Sequence, residues 1–91
     1  MNPVLVELVN KISAEQPELL KGLSVVGDWL WLEFDSIPAV ETREYLKFVG
    51  FRFNRKRKLW QNACGVKSRS TDGDPTITYG KFSIARIKEE A

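Results

Sequence analysis

The sequence predicts an α+β domain: a small antiparallel sheet of two hairpins with helices packed on one face. The expected order is α-β-β-α-β-β, followed by an irregular C-terminal tail. Three observations carry this. Two stretches space apolar residues as a helix does, each beginning at a proline and stopping at proline or glycine. Two others alternate as strands do around short turn signals. And 91 residues, 43% hydrophobic and 29% charged, have the size and composition of one small globular domain spanning 1–91.

The first helix has Asn2 as N-cap and Pro3 at the first helical position, where a missing N–H costs nothing. Val4, Leu5, Leu8, Val9 and Ile12 share one face, and Pro17 disfavours helix at Gln16. Pro17 to Lys21 reads as one further turn, stopped by Gly22. Leu23 to Asp35 reads as a hairpin about Gly27-Asp28; a single long strand through Gly27 is the competing assignment. The hairpin register pairs Val26 with Trp29 and Leu23 with Leu32. Leu23, Val25, Leu30, Leu32 and Phe34 then face the core, while Ser24, Val26, Trp29, Trp31, Glu33 and Asp35 face away.

Ser36-Ile37-Pro38 is expected to open a second helix with Ala39, Thr42, Tyr45, Leu46 and Val49 as its stripe and Gly50 as its left-handed cap. A second hairpin follows, with Asn54-Arg55-Lys56-Arg57 at its tip. With a loop of two or four residues, Phe53 lies opposite Lys58 and Phe51 opposite Trp60. Phe51, Phe53 and Trp60 make one face; Arg52 and Leu59 lie on the other. Beyond Gly65, residues 67–76 read as a mobile polar loop, Thr76 to Tyr79 as a short strand, and Ile84 and Ile87 as part of a last strand or short helix.

The absence of histidine and the single cysteine, Cys64, exclude an intrachain disulfide, a Cys/His zinc site and a Ser-His or Cys-His nucleophile pair. No stretch approaches the roughly 20 apolar residues of a membrane span. The start, Met1-Asn2-Pro3, lacks the basic region of a signal peptide. A lone cysteine suits a reducing compartment, so a cytoplasmic location with no membrane contact is expected. The net charge of +2 conceals an asymmetry. Residues 1–45 carry a net −5 and residues 46–91 a net +7. From Lys47 to Arg69 there are eight basic side chains and no acidic one. Such a distribution marks a polyanion-binding face, or two halves that face each other in the fold.

The basic hairpin interleaves Arg52, Arg55, Lys56, Arg57 and Lys58 with Phe51, Phe53 and Trp60. Cations attract phosphate, and exposed rings stack on unpaired bases. The competing reading puts the aromatics in the core and leaves the tip as solvated charge. Trp29 and Trp31 share the face turned away from Leu30 and Leu32. They are candidates for a stacking platform or an interface with a protein partner or a second copy, unless helix or tail covers them. Asp28, Glu33 and Asp35 are the one carboxylate set that would serve a metal-dependent nuclease. Asp35-Ser36 is an ordinary helix start, however, and Asp72-Gly73-Asp74 an ordinary turn. Cys64 reads as a small buried residue.

The stretch from Gly27-Asp28-Trp29-Leu30-Trp31 through Gly50-Phe51-Arg52-Phe53-Asn54 to Trp60, with Cys64-Gly65 and Asp74-Pro75 through Tyr79-Gly80, resembles a known group. This is a set of small, largely uncharacterised proteins of phages, plasmids and other mobile bacterial elements. They share a helix followed by Gly-Phe-Arg-aromatic-Asn-x-x-Arg/Lys-x-x-Trp. Phe53 stands where tryptophan is more frequent. The resemblance implies a context and no activity. Residues 40–61 are also similar, more loosely, to the HARP module of annealing helicases, which implies contact with DNA forks. The expectation is a non-enzymatic nucleic-acid-binding module for single strands or junctions, with no metal or cofactor. Its site would be Arg52, Arg55, Lys56, Arg57, Lys58 and Trp60, flanked by Lys67 and Arg69, with Trp29 and Trp31 as stacking or interface residues. The alternative is a protein-interaction module with no nucleic-acid role.

Overall fold

The computed structural model describes residues 2–65 and 79–85. It is an α+β domain. Helix α1 (Pro3–Glu15) is followed by a 3-10 turn (Pro17–Gly22), β1 (Leu23–Val26), β2 (Trp29–Leu32), α2 (Val40–Phe48), β3 (Arg52–Asn54), β4 (Leu59–Asn62) and β5 (Phe82–Ser83). The five strands form one antiparallel sheet in the order β3-β4-β2-β1-β5.

Helix α1 starts as its sequence requires. The Asn2 side-chain oxygen accepts from the Val4 amide at 2.9 Å, while its Nδ2 donates to the Cys64 carbonyl at 3.0 Å. One side chain therefore caps the helix and ties it to the chain beyond β4. Leu5, Val9 and Ile12 are buried. Gly22, the last residue of the next turn, must be glycine for a steric reason. A Cβ there would lie 2.2 Å from the Glu33 carbonyl oxygen, across a strand pair whose Glu33 amide donates to the Gly22 carbonyl.

The β1–β2 hairpin has the expected register, Leu23 with Leu32 through Val26 with Trp29. Its two faces separate the core as alternation demands. Leu23, Val25, Leu30 and Leu32 join Leu5, Val9, Ile12, Leu46, Phe51, Trp60 and Ile84 in the main core. Both helices thus lie on this face. On the other face Val26, Trp31 and Leu59 form a smaller buried cluster, with Trp29 packed beside it.

Helix α2 begins at Val40, later than the Ser36–Pro38 start the sequence suggests. Ala39 is extended (φ −59°, ψ 157°) and, as an alanine, has no side chain to cap the first turn. The helix ends in a Schellman turn. The Gly50 amide donates to the Lys47 carbonyl (3.2 Å) and the Phe51 amide to the Leu46 carbonyl (2.8 Å), with Gly50 at φ 99°. Leu46 and Phe51, both buried, are the apolar pair that accompanies this motif. The turn therefore delivers the chain from α2 into β3. Asn62 supports it: its Nδ2 donates to the Val49 carbonyl (3.0 Å) and its Oδ1 accepts from the Cys64 amide (2.9 Å).

Three further features differ from or go beyond the expectation. The tail adds β5 to the open edge of β1, so the sheet has five strands. Tyr79 lies over the β1–β2 turn, where a Cβ on Gly27 would meet its ring at 3.1 Å. The second hairpin pairs Phe53 with Trp60 and Asn54 with Leu59, a slip of two positions from the expected register. The reason is Lys58. Its φ of 58° is left-handed, so it belongs to the loop and not to β4. A two-residue slip preserves facing, so Phe51, Phe53 and Trp60 still share one side. The loop expected at 67–76, residues 76–78 of the strand expected from Thr76 to Tyr79 and the position of Ile87 lie outside the described residues; Tyr79 itself is described and is not in a strand.

Candidate nucleic-acid interface

The β3–β4 hairpin is held by Asn54. Its Oδ1 accepts from the amides of Lys56 and Arg57, both at 3.0 Å, and its Nδ2 donates to Gln61 Oε1 at 3.0 Å. The Lys58 amide closes the loop on the Asn54 carbonyl at 2.7 Å. This is an Asx turn with every polar atom of the asparagine side chain used. It gives Arg55, Lys56, Arg57 and Lys58 a defined backbone. Sequence reading missed the role of Asn54; an asparagine heading a four-residue polar run between strands was the available signal.

All five cations of the hairpin, Arg52, Arg55, Lys56, Arg57 and Lys58, are exposed. Among the described residues none of them forms an ion pair; the two pairs present are Lys11 with Glu15 and Lys81 with Glu33. The acidic half of the chain therefore does not neutralise this tip within the described residues. Arg57 is set apart from the others. Its guanidinium carbon stands 5.3 Å from the centre of the Trp31 ring, a cation–π distance. Arg52 lies in a cross-sheet row with Gln61 and Trp31 on the same face.

The aromatic candidates part company. Trp60 is 6% exposed and Trp31 5% exposed, so neither offers an open ring face in this conformation. Trp29 is partly buried beside the Trp31 cluster. Phe51 is fully in the core, whereas Phe53, which shares its face, is 50% exposed. Lys67 and Arg69 lie outside the described residues.

The carboxylates do not converge. Asp28 sits in the turn before β2, and Glu33 and Asp35 follow its far end, so about 16 Å of extended strand separates Asp28 from Glu33. Glu33 is held by Lys81. Among the described residues no group of three histidine, cysteine or acidic side chains could hold a metal ion. A cleft of about 770 Å³ runs between the 3-10 turn, the end of β2 and β5. Its walls carry both signs, with Glu18, Glu33 and Asp35 against Lys21 and Lys81, and no hairpin cation lines it. Cys64 is buried, and loss of solvation pushes its thiol up to about 11, which makes it a poor nucleophile at neutral pH.

Among the described residues no helix is long and apolar enough to cross a membrane. No protein-family model, no curated protein and no solved structure matches the chain.

Proposed function

We propose that this protein is a non-enzymatic nucleic-acid-binding module that engages its ligand through the β3–β4 hairpin. The observation that carries the reading is the hairpin itself: five exposed cations, four of them on a loop backbone fixed by Asn54, none paired with a carboxylate among the described residues. Holding like charges together costs free energy, and a polyanion returns it with the entropy of released counterions. The reading includes a cytoplasmic setting, on the ground that the one cysteine is free. The rival reading, docking of a protein or a second copy through Trp29 and Trp31, has less support because the Trp31 ring is buried.

The test is binding of a labelled single-stranded oligonucleotide as salt is raised. Affinity should fall steeply, with a log–log slope of about −0.7 per phosphate contacted. The pair Arg55→Ala and Lys56→Ala should flatten that slope by about 1.4 if each meets one phosphate. Arg57 is kept because of its contact with Trp31. Salt-independent binding, or an unchanged slope in the double variant, overturns the reading.

A further inference from the structure

Resting on that reading, we infer that Phe53 is the base-stacking residue of the hairpin and that the ligand is therefore single-stranded. Four aromatic rings belong to or border the basic hairpin: Phe51, Phe53, Trp60 and Trp31. Three of them are closed. Phe51 is 1% exposed, Trp31 already carries a guanidinium, and Trp60 is in the core. Phe53 alone among them is half-exposed. It is also held in place, because it pairs across the strands with Trp60, ring centres 5.5 Å apart and planes tilted by 54°. Trp60 touches the ring and still leaves half of the side chain in solvent.

The surroundings of the ring match one class of ligand. β3 is the edge strand of the sheet, so no strand of the described fold lies beyond Phe53. Arg52 precedes it but faces the other side of the sheet, and the exposed cations of the tip begin two residues later at Arg55. A half-exposed ring followed in the chain by Arg55, Lys56 and Lys58 places a π surface near phosphate-binding groups. That is the pairing a single strand uses, one base on the ring and its neighbouring phosphates on the cations. A duplex cannot use it, because its base faces are already stacked. The tip cations would attract either form; the ring distinguishes them.

The experiment is fluorescence anisotropy with the full chain, using an oligothymidine 15-mer and a 15-base-pair duplex of mixed sequence. Stacking worth about 1–3 kcal/mol per base translates into a loss of about 5- to 150-fold. Phe53→Ala and Phe53→Leu should both lose affinity for the single strand by that factor and bind the duplex as the wild type does. Phe53→Leu retains an apolar contact with Trp60, so it controls for hairpin structure, and Phe53→Trp should retain the affinity. Phe48→Ala, which removes a ring 83% exposed at the end of α2, should change nothing. The inference falls if Phe53→Ala binds the single strand normally while Arg55→Ala/Lys56→Ala weakens it; the nucleic-acid reading then survives. It falls as well if the Phe53 variants lose both ligands equally, or if Phe48→Ala loses as much. If the wild type binds neither ligand at low salt, both readings are overturned.

Discussion

Cys64 and Tyr45 show how single side chains set the pH limits of this fold. Burial pushes the Cys64 thiol up to about 11, and burial together with its bond to Glu15 pushes the Tyr45 hydroxyl up to about 12. The Tyr45 hydroxyl donates to Glu15 Oε1 at 3.1 Å. Both groups are acids kept neutral by folding. Their contribution is complete below the unfolded values of 9.0 and 10.0 and is lost as pH rises toward 11 and 12. Urea midpoints should therefore decline from about pH 9 upward, and Cys64→Ala should remove the first part of that decline, on the order of 2 kcal/mol. A midpoint that stays level to pH 12 would contradict this. Glu15 works in the other direction. Lys11 and Tyr45 hold its carboxyl below the usual range, so its share is present above that range and lost in acid. Gly22 sets a steric limit instead. Gly22→Ala drives a methyl into the Glu33 carbonyl, and backbone must move to relieve it. A loss of about 1–3 kcal/mol in chemical denaturation is expected, the range for overpacked sites.

At the scale of elements, the second hairpin depends on its turn more than on its short strands. Asn54→Ala removes three side-chain hydrogen bonds, two of them to amides in the loop. A cost of about 1–2 kcal/mol is expected. Amide exchange should quicken at Lys56 and Arg57 while β1 and β2 remain protected. Arg57→Ala should alter tryptophan emission through Trp31 more than Arg55→Ala does, because one guanidinium alone of the two stands over that ring. These elements also show what could be read in advance. The β1–β2 register followed from a glycine-first turn and clean alternation, and the Gly50 cap from a glycine after an amphipathic run. The β3–β4 register did not. Local rules assign lysine to a strand as readily as to a loop, and a left-handed Lys58 is visible only once the Asn54 bonds are known. The late start of α2 was hidden for a related reason. Pro38 fits the first turn of a helix, but it also fits the extended approach that Ala39 in fact continues. Of the candidate site, the cations were legible as a run. Which ring stays open was not, since Phe51 and Phe53 have the same residue type on the same face and differ only in how far each lies from the core.

Over the whole molecule, a five-stranded sheet has helices on one face and a compact tryptophan cluster on the other. Its two edges are unlike. The β3 edge bears charge, which discourages pairing with another chain. The other edge is closed by β5, through Ser24 with Ser83 and Val25 with Phe82. Ending the chain at Gly80 should expose β1 along Val25 and Val26 and withdraw Ile84 from the core. The shortened protein should melt lower and scatter light on concentration; a monodisperse, equally stable product would refute this. The same pairing sets a timetable for synthesis. Chains grow at about 5–20 residues per second, so roughly 3–11 seconds separate the making of β1 from the making of the strand that closes it. Throughout that interval the nascent protein holds out an unmatched apolar ribbon. Its sheet can be completed only once Phe82 and Ser83 have been made, and a ribosome-associated holdase would find its target in β1.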